Sequence, residues 1–142
     1  MTSELRLGDH AEDVQEVTPE RTASHIGSGA LRVYASPAMA LFVEQVCRRL
    51  AEAHLPEGKT TVGVELHLRH LAATPLGATV RLRAEVIAVN GETITFRAEV
   101  WDSVEKEGEA EHRRRVIDVE RFLRRVEAKS KTNHGPAGEL RP

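Results

Sequence analysis

Apolar and polar positions alternate with period two in three stretches of the second half of the chain. Over 61–73, Val62, Val64, Leu66, Leu68, His70 and Ala72 share one face, while Glu65, His67 and Arg69 take the other. Over 78–89, Val80, Leu82, Ala84, Val86 and Ala88 oppose Arg81, Arg83 and Glu85. Over 93–102, Ile94, Phe96, Ala98 and Val100 oppose Thr95, Arg97, Glu99 and Trp101. These patterns predict three strands. A fourth long strand is expected over 108–121, too charged for its faces to be assigned. A short first strand is expected over 13–18, after a polar, loosely held start at 1–12. Asn90-Gly91 marks a hairpin. A bare two-residue turn pairing Val89 with Glu92 would set apolar positions against polar ones, because a slip of one residue flips every face. A longer loop or a bulge, pairing Val89 with Thr93, also sets Glu85 opposite Arg97 and Arg83 opposite Glu99.

One segment breaks the alternation. Ser36 and Pro37 read as a helix start, Ser36 as the cap and Pro37 at the first helical position. The helix should run to about Ala53, ahead of Pro56 and Gly58. Its first half is apolar on nearly every side, which predicts a buried helix. Residues 19–32 carry Pro, Ser, Gly and His and read as a loop. From Glu127 onward no core-forming pattern remains. The expected organisation is one α+β domain over 1–126, with a long buried helix wrapped by an antiparallel sheet, and a polar, disordered tail over 127–142. One helix does not cover such a sheet, so self-association is expected.

Composition narrows the function. Twenty basic and 22 acidic residues leave no global footprint for nucleic acid, and 4% aromatic residues offer no stacking platform. The single cysteine, Cys47, excludes an internal disulfide and a Cys-rich zinc site, and reads as a small core residue. No signal-peptide pattern opens the chain, and no apolar run approaches the roughly 20 residues that span a bilayer. A soluble cytoplasmic protein is the expectation.

Glu44 is the misfit within the apolar helix. Burying a carboxylate without partners costs several kcal/mol. His70 is the one ionisable group on the apolar face of its strand, and that face should look at the helix. Ser36 and Glu44 are eight residues apart, on similar sides of the helix and separated by roughly 12 Å of rise. Each has a bland reading: Ser36 as a cap, His70 as a satisfied core histidine, Glu44 at solvent or a subunit partner. Their conjunction in an apolar layer points to a small-molecule site. His67 and His70 fall on opposite faces of a strand, so their H-x-x-H spacing is no metal site. Arg113-Arg114-Arg115 reads as a solvated edge, or in a minority reading a phosphate contact.

The stretch Val33-Tyr-Ala-Ser-Pro-Ala-Met-Ala-Leu-Phe-Val-Glu-Gln-Val-Cys47 resembles the helix of hotdog-fold acyl-CoA thioesterases, the fluoroacetyl-CoA thioesterase family above all. Val62-Gly-Val-Glu-Leu-His-Leu-Arg-His-Leu-Ala-Ala-Thr-Pro75 is similar to that family's second motif. His112-Arg-Arg114 with Val116-Ile-Asp-Val-Glu-Arg-Phe122 is similar to a third. The resemblance implies a hotdog fold and hydrolysis of a short-chain acyl-CoA. It implies a catalytic hydroxyl, carboxylate and histidine at Ser36, Glu44 and His70. It implies Gly63 at the thioester carbonyl and Arg114 near the site, and the acyl group is expected against Met39 and Phe42. No cofactor is implied beyond the coenzyme A of the substrate, and a homodimer or an oligomer of dimers is expected. The family's aromatic lid residue, six positions before the hydroxyl, is Ala30 here, which implies a broader short-chain preference. Two rival readings share the fold: a non-catalytic acyl-CoA binding module, and an acyl-CoA hydratase. The hydratase expects an Asp/His pair at the helix, where this chain brings Glu44.

Overall fold

The computed structural model describes residues 4–132 and Gly138. Five antiparallel strands, β1 (His10–Glu16), β2 (Lys59–His70), β3 (Thr79–Asn90), β4 (Thr93–Trp101) and β5 (Lys106–Asp118), form one sheet in the order β1-β3-β4-β5-β2. A short helix α1 (Ala23–Ile26) precedes the long α2 (Ser36–Glu52), and α3 (Val119–Thr132) follows β5. Helix α2 packs against both edge strands, β1 and β2, as well as β3 and β5, so the sheet curves round it. This is the wrapped-helix α+β architecture expected from the sequence.

The buried stripe of α2, Met39, Phe42, Val43, Val46, Cys47 and Leu50, has helical spacing. It meets Val80, Leu82, Ala84 and Val86 of β3 and Ile94, Phe96, Ala98 and Val100 of β4. Each large apolar side chain removed from water contributes about 1.5–3 kcal/mol. The helix is not buried all round: Leu41 is 55% exposed, and Gln45, Arg48 and Arg49 reach solvent.

Several boundaries differ from the sequence reading. Strand β1 starts at His10 rather than Asp13, pairing His10 with Glu85, and Leu5 packs against the core. The segment taken as loop carries a 3-10 turn at Pro19–Arg21 and the helix α1. The strand expected to reach residue 121 ends at Asp118. The tail expected to be disordered from Glu127 is helical through Thr132, because Val119, Phe122, Leu123 and Val126 recur at helical spacing and α3 runs through them. Residues 133–137 and 139–142 of that tail lie outside the described residues.

Bulges set the register. Gly91 has φ 61°, and Asn90 pairs with Thr93 across the two-residue Gly91-Glu92 turn, so Val89 meets Ile94 rather than Thr93. The extra residue sits at Ile87, beyond which Glu85 pairs with Arg97 and Arg83 with Glu99, as the cross-strand charges predict. The ion pairs themselves form elsewhere: Arg83 reaches Glu85 at 3.3 Å and Glu12 at 3.8 Å. A second bulge, between Gly63 and Glu65, inverts the phase of β2. Leu66, Leu68 and His70 face the helix side as expected, but before the bulge Thr61 turns inward and Val64 is 56% exposed.

Candidate active site

Helix α2 opens beside the end of β2. Ala35, in extended conformation, is the residue before the helix, so Ser36 is the first helical residue rather than the cap, and no side chain caps this end. The hydroxyl expected to serve the helix is free to act elsewhere. Ser36 Oγ lies 2.7 Å from His70 Nδ1. With the ring hydrogen on Nε2, Nδ1 accepts the Ser36 proton, the arrangement a general base needs. Burial lowers the His70 pKa below its usual 6.5, against a smaller opposite pull from the Ala72 backbone, so the ring is neutral at pH 7. Tyr34 packs edge-on against His70, with ring centroids 6.4 Å apart, and its hydroxyl donates to the Gln15 side chain. His67, three residues earlier, is on the other face, hydrogen-bonded to Glu65 at 2.7 Å. Among the described residues no cluster of metal-binding side chains occurs.

Glu44 stands two turns along α2, half-buried, and forms no hydrogen bond or ion pair among the described residues. Its charge acts on Arg114, His112 and Cys47, favouring their protonated forms. Ser36 and His70 are hydrogen-bonded, and Glu44 lies two helical turns, roughly 12 Å of rise, from Ser36. The Arg114 guanidinium is locked. Nε donates to Thr61 Oγ1 at 2.8 Å, Nη2 to Thr61 O at 3.1 Å, and Nη1 to His112 Nε2 at 3.1 Å. His112 Nδ1–H donates to Glu65 O at 2.8 Å, which leaves Nε2 as the acceptor and fixes a neutral tautomer. Burial also lowers the His112 pKa.

This strut supports Gly63. A Cβ on Gly63 would stand 3.3 Å from both Arg114 Nη1 and His112 Cε1. Arg114, expected at the substrate, is instead 5% exposed with its directional contacts inside the wall. Met39 and Phe42, expected against the acyl group, are core residues, 0% and 2% exposed. Cys47 is buried and its thiol is pushed up to about 12, mainly by burial, as befits a packing residue. Ala30 is exposed, between the partly exposed Ile26 and Leu31. The sequence reading missed Thr61, His112 and Tyr34 as site neighbours. The signal was present for His112: Gly108, Ala110, His112 and Arg114 alternate along β5, and all four turn inward.

Four surface clefts among the described residues are lined by residues other than Ser36, Glu44 and His70. No helix among the described residues is long and apolar enough to cross a membrane.

Comparison with known proteins places these features. The family model for fluoroacetyl-CoA-specific thioesterase matches residues 17–120. A fluoroacetyl-CoA thioesterase from Streptantibioticus cattleyicolor is 30% identical over 144 residues, covering 97% of this chain and all of that protein. The crystal structure of a point variant of the fluoroacetyl-CoA-specific thioesterase, in complex with fluoroacetate and CoA, superposes with a TM-score of 0.79 at 31% identity. It covers 83% of this chain and 99% of that one. A hot-dog-like protein from Thermanaerovibrio acidaminovorans gives a TM-score of 0.83 at 20% identity, over 93% and 96% of the two chains, and supports the fold alone.

Proposed function

The chain belongs to the fluoroacetyl-CoA-specific thioesterase family, and from that premise we propose that it hydrolyses a short-chain acyl-CoA thioester to the free acid and coenzyme A. The observation that carries the reading is the Ser36–His70 pair at the open end of α2, with Glu44 on the same helix. The uncapped amides of the first turn and the Gly63 amide would polarise the thioester carbonyl. Glu44 would act on the carbonyl carbon, as nucleophile or as base to a water. His70, neutral at working pH, would move the proton, and Ser36 would hold the reacting groups in line. The C–S bond breaks and the CoA sulfur leaves as a thiolate that takes up a proton; if Glu44 is the nucleophile, a water then hydrolyses the resulting anhydride to free acid and restores the carboxylate. The Arg114–His112–Thr61 strut fixes the Gly63 segment and the field at Glu44. No cofactor is needed beyond the CoA that the substrate carries.

The working unit in this proposal is a homodimer. Glu44 lies two helical turns from the Ser36 hydroxyl that meets His70, too far for a direct bond between the two. A second copy along the free edge of β2 would bring one chain's Glu44 to the other's Ser36–His70 pair and close a pocket between them. Exposed Leu41 on α2 and Val64 on β2 fit such an interface. The single buried thiol fits a cytoplasmic setting. Ala30, with no ring to close over a small acyl group, favours acetyl- and propionyl-CoA alongside fluoroacetyl-CoA as substrates.

Thiol release from a panel of acyl-CoA esters tests the reading. Glu44→Gln and His70→Ala should fold and lose roughly 10²–10⁴ in kcat, the usual contribution of a positioned acid–base group. Wild-type turnover in both folded variants would end the catalytic assignment. Saturable binding of CoA esters without turnover by the wild type would make the protein a binding module.

A further inference from the structure

Glu107 is 0% exposed, and neither carboxylate oxygen meets a hydrogen-bond donor among the described residues. The cause is a bulge: Val100 pairs with Gly108 and Trp101 with Lys106, leaving Glu107 as the extra residue turned into the protein. The groups around it are acidic or neutral. Asp102 and Glu105 approach from the β4–β5 turn and Thr74 from the segment after β2. Tyr34, on the strip before α2, is kept a neutral phenol by burial, an effect that the Arg21 charge opposes and Glu107 reinforces. His70, beyond the Tyr34 ring, is neutral.

Two carboxylates cannot hydrogen-bond to each other while both are ionised; one proton between them makes the bond. Asp102 already accepts the amides of Val104 and Glu105, each at 2.8 Å, and its pKa is lowered, so it remains the anion. The proton therefore belongs on Glu107, which is buried while Asp102 is part-exposed. Burial first, then the bond to Asp102, push its pKa up to about 7.

This pair is built into the frame around His70. The Glu107 carbonyl accepts the amides of Leu71 at 2.7 Å and Ala72 at 3.3 Å, the two residues that follow His70. Thr74 Oγ1 donates to Asp102 at 3.3 Å. The Thr74 carbonyl accepts the Tyr34 amide at 2.8 Å, and Tyr34 is the ring packed on His70. We propose that Glu107, uncharged and donating to Asp102, is the positioning residue that holds His70 against Ser36, and that its ionisation loosens this frame and lowers turnover. Once ionised, the buried Glu107 carboxylate would face the part-exposed Asp102 anion, and the 71–74 segment, tied to both residues, is where the repulsion would be relieved. The inference rests on the thioesterase reading for its kinetic consequence and on the fold alone for its structural one.

The test compares the full-length wild type with Glu107→Gln, whose amide keeps a neutral donor toward Asp102. Across about pH 5.5 to 9, wild-type kcat should fall roughly tenfold relative to the variant as pH passes through about 7, with KM unchanged. A 1 Å misplacement of a catalytic group costs on the order of 10²-fold, so a tenfold loss corresponds to partial loosening. In parallel, between about pH 6.5 and 9, above the range where His70 itself protonates, its ring NMR signals should shift in the wild type as pH passes through about 7 and stay fixed in the variant. Asp102→Asn removes the repelling charge, still caps its turn and offers Glu107 a donor, so it should flatten both responses too. Superposable profiles and superposable His70 spectra for all three proteins would overturn the proposal. The spectra decide it even if no protein cleaves an acyl-CoA, a result that counts against the activity alone.

Discussion

Ser36 shows how one backbone detail assigns a side chain its task. A serine before a proline at a helix start is ordinarily a cap, worth about 1 kcal/mol. Here the cap position belongs to Ala35, and the Ser36 hydroxyl turns to His70. Ser36→Ala should therefore change stability by less than about 0.5 kcal/mol in urea denaturation, as an exposed substitution does, while lowering kcat. A loss near 1 kcal/mol with unchanged kcat would restore the capping role. His112 and Arg114 illustrate the converse. They look like surface charge in the sequence, yet they are buried with a partner for each guanidinium nitrogen and each ring nitrogen: Arg114 on Thr61 and His112, His112 on Arg114 and Glu65. Glu107 adds a stability term of known sign. Its proton is held more tightly in the folded chain than in the unfolded one, so the folded state binds more protons above about pH 4.5. Wild-type stability should fall relative to Glu107→Gln between about pH 4.5 and pH 7 and level off above it, a comparison that calorimetry makes directly.

At the scale of the elements, the alternation of β3 and β4 and the start and stop of α2 were legible, because side-chain period and turn chemistry are local signals. The bulges were not. Val62-Gly63-Val64 is apolar on both phases, so nothing in the pattern marks where β2 inverts, and Thr61 looked like an outward residue until the bulge turned it toward Arg114. The shift at Ile87 was inferred from register arithmetic but placed at the turn, since only the total offset can be read from paired charges. Helix α3 was missed because its charged residues hide a short apolar stripe, and no buried residue confirms it. Of the site, the sequence reading named Ser36, Glu44, His70, Gly63, Met39, Phe42 and Arg114; it did not give Arg114 its Thr61 and His112 partners, nor find Glu107, because these contacts exist only once β5 is placed between β4 and β2. Glycines at the site separate into two kinds. A Cβ on Gly108 would come within 2.5 Å of Met39 Sδ and 3.0 Å of the Arg69 carbonyl, so Gly108→Ala should cost about 1–3 kcal/mol in a thermal melt. Gly63→Ala, at 3.3 Å from side-chain ends, should cost less.

For the whole molecule, the sheet order leaves β2 at an edge, twelve residues long, with Leu41 and Val64 exposed on α2 and β2. Long bare edges are templates for pairing with another chain, and natural proteins cover them. In the proposed dimer that cover is a second copy, and the catalytic groups are shared across it. Folding and assembly are then one equilibrium, so the melting temperature should rise with protein concentration in calorimetry, and scattering should give twice the chain mass. A concentration-independent melt with a single-chain mass would remove the dimer from the mechanism. The open edge also bears on how the enzyme behaves in an assay tube. In the proposed dimer, dilution would act as a mild denaturant: specific activity would decline as the stock is thinned and return as it is concentrated.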